Sequence, residues 1–157
     1  MKRLEKRSTR DIVIADRGYT SLDLMETVRD AGADFLFRVP DDFIKEIMNL
    51  PKQDCDIEVS FTIFTRQTNE SKKMIAEVKA KWLPGLSRFG KHKKEVTWFH
   101  ESPYLMSLRP VKFKLENGNY ETICTSLSPD KIPPEKLKEL YHLRWSIETS
   151  FRFLKMR

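Results

Sequence analysis

No stretch of 18 apolar residues occurs anywhere in the 157-residue sequence, so no segment reads as a membrane-spanning helix. The opening residues, MKRLEKRSTR, lack the apolar core of a secretion signal. There are only two cysteines, Cys55 and Cys124, far apart and without CxxC spacing or a histidine partner pattern. That excludes a zinc knuckle and a disulfide framework, and both read as free thiols in a reducing cytoplasm. Internal repeats and low-complexity tracts are missing too, which excludes solenoids and disordered linkers. What remains is 39% hydrophobic and 33% charged, a globular composition. The length suits one ordinary domain, or a core with an inserted lobe, and can bury a real core. A net charge of +6 and a pI near 9.3 favour a polyanionic partner. The first ten residues hold five cations and one glutamate, a solvated tail or the end of a helix.

Asp11 to Arg17, DIVIADR, is a short continuous apolar run of the kind expected for a strand buried on both faces. Asp16 closes the run and Gly18 follows as a turn residue. Ligand sites in open α/β sheets lie at the carboxyl ends of strands, which makes Asp16 a candidate site residue. The other reading, that Asp16 simply caps the turn, is open on spacing alone. Ser21 then reads as an N-cap, with Leu22, Met25, Val28 and Ala31 on one helical face and Gly32 as the stop. Asp34 to Val39 is a second strand ended by Pro40, and the strand–helix–strand order predicts a parallel pair.

From Asp41 the character changes. Phe43 to Leu50 reads as a short helix, and Asp56 to Arg66 alternates as a half-exposed strand. Further strands are expected around Met74 to Ala80, Val96 to His100, Met106 to Leu115 and Tyr120 to Ser126. Asn117-Gly118 is the strongest hairpin signal in the chain. A largely antiparallel, meander-like β segment follows from this. Within it Arg88 to Lys94, RFGKHKK, is either a DNA-backbone patch or a solvated hairpin end. Trp82 and Trp98 are either core residues or stacking platforms for a flipped base.

Pro134 sits where proline opens a helix, and the last helix is expected to run to Arg157. Tyr141, Arg144, Glu148 and Lys155 fall within an arc of about 60° on that helix. A neighbouring arc carries Leu140, Leu143, Ile147, Phe151 and Leu154, expected to dock on the core. A carboxylate flanked by cations and a phenol suits a divalent metal next to phosphate. The bland reading is that Arg144–Glu148 and Glu148–Arg152 are surface ion pairs.

The helix resembles the signature of DDE transposases of the insertion-sequence-four family: Y, two residues, R, three residues, E, six residues, K. All four positions and all three spacings match at Tyr141, Arg144, Glu148 and Lys155. Asp16-Arg17-Gly18-Tyr19 likewise looks like the motif of the family's second catalytic Asp. The resemblance implies an α/β fold, a partial ribonuclease-H-like (retroviral-integrase-type) core with a β-rich insertion. Residues 1–40 would belong to the core, 41–127 to the insertion, and 128–157 to the core's Glu helix. It also implies DNA cleavage and strand transfer in cut-and-paste transposition. Two Mg2+ ions, replaceable by Mn2+, would be held by three carboxylates, Asp16 and Glu148 among them. Their carboxyl groups would then lie within roughly 8 Å. Tyr141, Arg144 and Lys155 would contact DNA phosphates. Transposon ends and target DNA are the implied partners, with a homodimer in the active complex, in the prokaryotic cytoplasm at the nucleoid. Only 15 residues precede Asp16, so the first catalytic Asp is expected outside this chain, which alone should be inactive. The alternatives are a non-catalytic DNA-binding remnant and a basic α/β protein with no DNA role.

Overall fold

Ser21 starts the first helix as expected. In the computed structural model, which describes residues 10–85 and 97–143, the Ser21 hydroxyl accepts from the Leu24 amide at 3.0 Å and opens helix Leu22–Asp30, α1. Leu22, Met25 and Val28 share its buried face, and Gly32 leaves it at a φ of +78°. The flanking strands are Ile12–Ala15, β1, and Asp34–Val39, β2. They pair in parallel, Ile12 opposite Asp34 and Ala15 opposite Phe37. β2 runs between two apolar clusters: Phe35, Phe37 and Val39 face one, Leu36 the other. β1 departs from expectation. It ends the sheet among the described residues, and Val13 is 40% exposed, so the apolar run is covered only in part.

Past Asp41 the structure corrects several expectations. The helix foreseen over 43–50 is the single turn Lys45–Met48, α2. The strand foreseen over 56–66 divides into Cys55–Asp56, β3, and Val59–Phe64, β4, with Phe61 and Ile63 buried. Where a strand was expected around Met74 to Ala80, Asn69–Ala76 is a helix, α3. Thr68 and Ser71 close a reciprocal cap there. The Ser71 amide donates to Thr68 Oγ1 at 3.1 Å, and the Thr68 amide donates to Ser71 Oγ at 2.8 Å. Only Ala80–Trp82 is extended, as β5, and it pairs in parallel with β4. The crossover β4–α3–β5 therefore replaces the expected meander at this edge. Of the strand expected at Val96 to His100, the described residues show only an isolated bridge between Gly85 and Trp98. A Cβ on Gly85 would lie 2.8 Å from the Thr65 side chain, which keeps that approach open only to glycine. Trp98 is a core residue, 1% exposed, with Nε1 donating to the Glu101 carbonyl at 2.9 Å.

The hairpin forms as foreseen. Tyr104–Lys114, β6, and Tyr120–Thr125, β7, flank the Asn117-Gly118 turn, where Gly118 adopts a φ of +85°. β7 also pairs antiparallel with β2, giving the order β1-β2-β7-β6-β4-β5, with β3 on β6. The β-rich segment thus continues the sheet begun by the first 40 residues.

Pro134 opens the last described helix, α4, whose described part spans residues 134–143. Leu137 and Tyr141, four apart, are fully buried against Leu36, Val111, Phe113 and Ile123. Burial of the Leu137 side chain alone is worth about 1.5–3 kcal/mol. The docked arc is therefore rotated from the expected one: Leu140 is partly buried and Leu143 is 59% exposed. Ile147, Phe151 and Leu154 lie outside the described residues.

Candidate active site

Alternation along β1 puts Ile12, Ile14 and Asp16 on one side of the sheet. Ile12 and Ile14 pack with the cluster that α4 covers, so Asp16 leaves the strand on the face where α4 docks. Its backbone is still extended, at φ −92° and ψ 169°, and its Oδ1 accepts from the Arg17 amide at 2.7 Å. The Tyr19 amide donates to the Asp16 carbonyl at 3.1 Å and closes a single 3-10 turn, Arg17–Tyr19. Asp16 thus does cap its turn. Its side chain nevertheless stays 36% exposed.

Two charged residues from other strands complete this corner. Arg38 of β2 places Nη1 3.9 Å from Asp16 Oδ1 and Nε 2.6 Å from Glu121 Oε1 of β7. The Nε approach is off the N–H axis, so it is an ion pair rather than an aligned hydrogen bond. Glu121 is the nearer and drier partner, its side chain 6% exposed, so it anchors the guanidinium, which then leans toward Asp16. Three strands that meet only in the folded sheet set this carboxylate–guanidinium–carboxylate row.

The transposase DDE domain family matches the chain over residues 1–157. The chain belongs to this family. A comparison with curated proteins finds no match. Transposases of this family act on DNA, in transposition and recombination, and typically use a divalent metal. The mixed sheet with its helices is consistent with the ribonuclease-H-like transposase fold. No described helix is long and apolar enough to cross a membrane.

Whether this transposase domain fits a metal can be tested on the donors at the corner. Asp16 offers one hard, partly exposed oxygen donor at a strand end, which suits Mg2+ as one ligand of a set. Among the described residues, no group of three or more His, Cys, Asp or Glu side chains is gathered for a metal. Arg144, Glu148 and Lys155 lie outside the described residues, as does the Arg88 to Lys94 stretch. The Tyr141 side chain is 0% exposed, buried in the cluster beneath α4. The cause is the phase of α4, which turns Leu137 and Tyr141 together onto the sheet.

Sequence reasoning missed Arg38 and Glu121. The available signal was Arg38 itself, the lone cation following the apolar run Phe35-Leu36-Phe37. A second cluster on the other face also went unforeseen. Glu26, 1% exposed, accepts a hydrogen bond from the Tyr104 phenol, and its Oε2 lies 3.0 Å from Arg29 Nη1. Burial first, and then the Glu26 hydrogen bond and charge, push the Tyr104 phenol up to about 12. Both cysteines are free thiols, and burial pushes the Cys124 thiol up.

Proposed function

We propose that this transposase domain is of the insertion-sequence-four type, cleaving DNA strands and joining them to a target in cut-and-paste transposition. Asp16 and Glu148 hold metal in this reading, and Arg144 and Lys155 neutralise DNA phosphates. Residues 1–40 and 128–157 form the core and 41–127 the β-rich insertion. The active complex is a homodimer on transposon ends, working at the nucleoid in the cytoplasm. Bound Mg2+, with Mn2+ able to substitute, supplies charge stabilisation for in-line displacement at a phosphodiester. The chain's own residues present that phosphate: Asp16 stays accessible at its strand end, and Arg38 balances the carboxylate charge beside it.

One observation carries the reading. Asp16 emerges on the sheet face that α4 covers, and α4 leads in sequence to Glu148. With two assigned carboxylates, this chain by itself is expected to bind DNA weakly, without sequence preference, and to leave it uncut. The test is nicking of supercoiled plasmid with Mg2+ or Mn2+ by a polypeptide that also supplies the third carboxylate. Asp16→Asn and Glu148→Gln should each abolish nicking while DNA binding persists. Nicking that survives both changes overturns the assignment. Binding with no nicking in any form supports a non-catalytic DNA-binding remnant instead.

A further inference from the structure

β3 pairs with β6 only at Val111 and Lys112. There a cleft of about 350 Å3 opens between β3, the end of β6 and the first turn of α4. None of Asp16, Arg38 and Glu121 lines it. Its three carboxylates are accounted for. Both oxygens of Asp56 accept from Arg109, at 2.8 and 2.7 Å. Asp54 Oδ1 accepts from the Lys114 amide at 2.9 Å, and Glu135 is exposed to water.

The lysines of the cleft are not matched in this way. Lys112 is 7% exposed, yet among the described residues it makes no ion pair and no side-chain hydrogen bond. Its ammonium has the Tyr120 ring, 5.8 Å away. Lys138, half-buried on α4, lies 5.4 Å over the Phe113 ring and has no carboxylate partner among the described residues. A ring face attracts an ammonium but does not replace the hydrogen bonds that its three N–H donors lose on leaving water. Lysine is almost never buried to this depth without a partner, because the charge loses its hydration.

The start of α4 adds to the same field. It is the positive end of the helix dipole, and Pro133 before it has no side-chain oxygen to cap it. Pro134 has no amide hydrogen, so the first helical N–H is that of Glu135, also on the cleft wall. A phosphate group supplies what this wall lacks: negative charge and several acceptor oxygens for ammonium and amide donors.

We propose that this cleft is a phosphate-binding site, separate from the Asp16 corner. Lys112 is its buried cation and Lys138 its cation from α4. The phosphate belongs to a DNA backbone, the polyanion on which this family acts, or is a free phosphate ion; the chemistry that recognises it is the same.

The test titrates the 15N-labelled chain with inorganic phosphate and follows the amides by NMR. Those of Asp54, Lys114 and Glu135 should shift and saturate. Lys112→Met keeps the apolar stem without the charge and should weaken binding by about five-fold or more, as should Lys138→Met. Lys131→Met removes an exposed lysine outside the cleft and should change nothing. Thermal unfolding reads the site a second way. Without phosphate, Lys112→Met should not lower the Tm, since it removes an unpaired buried charge. Phosphate should raise the Tm of the unmodified chain and not that of Lys112→Met. A short DNA duplex in place of phosphate decides the source. Shifts of the same amides, weakened by both cleft substitutions, identify the DNA backbone, and their absence identifies free phosphate. Shifts that do not saturate, that persist equally in Lys112→Met and Lys138→Met, or that weaken as much in Lys131→Met, overturn the site. A fall in Tm for Lys112→Met with phosphate binding unchanged also overturns it and makes Lys112 structural. If Lys112→Met fails to fold, Lys138→Met decides alone.

Discussion

Leu137→Ala tests how α4 is docked. Leu137 is fully buried between the sheet residues Leu36, Val111, Phe113 and Ile123 and its own helix neighbour Tyr141. The change removes three carbons. At about 0.8 kcal/mol per buried CH2, the lost transfer energy is about 2.4 kcal/mol. The cavity adds to this, because Tyr141 and the β-sheet hold its walls apart and relaxation is partial; the total should reach about 3–4 kcal/mol. Domains of this kind are stable by about 5–15 kcal/mol, so the loss is a large fraction of the whole. Leu143→Ala is the matched control. Leu143 is 59% exposed, so its truncation should cost no more than about 0.5 kcal/mol. The pair is decisive because helical periodicity alone puts Leu143 on the docked arc. Urea unfolding followed by far-UV circular dichroism reads both, with the slope of the transition expected to stay constant. A loss below about 1 kcal/mol for Leu137→Ala, or equal losses for the two variants, would refute the docking described here.

Three more perturbations are predicted, two from the structure and the last from the proposed function. The Tyr104 phenol titrates near 12 in the fold against its ordinary 10, so the unfolded chain releases its proton first. Its contribution is whole below pH 10 and is lost as pH rises from 10 to 12; Tyr104→Phe should flatten this alkaline limb, and an unchanged limb in thermal unfolding across that range would count against it. Gly118→Ala meets open space but must hold a φ of +85°, so backbone strain alone should cost about 1–2 kcal/mol. A change of only a few tenths in the urea midpoint would show that the turn relaxes. Arg144→Ala and Lys155→Ala should each lower the salt dependence of DNA binding by about one unit and leave thermal stability nearly unchanged. A large loss of stability with unchanged DNA binding would make them structural ion-pair members instead.

Local chemistry determined the elements that local chemistry can specify. Ser21 and Gly32 bound α1, Asn117-Gly118 closes the hairpin and Pro134 opens α4, each through the backbone within a few residues. The sequence also marked Asp16 as the residue at the carboxyl end of the first strand. Other features were settled only by the fold. The reciprocal Thr68–Ser71 cap was legible in principle, yet the apolar run after it reads equally as strand or helix, and packing against β5 chose the helix. Helical periodicity fixes which residues of α4 share a face but not which face meets the sheet, so Tyr141 and Leu137 turned inward where Leu143 was expected. Arg38 finds Glu121, and Arg109 finds Asp56, across strands remote in sequence. A charge buried in a strand must have a partner, but which partner depends on strand order and register, and those are properties of the whole sheet.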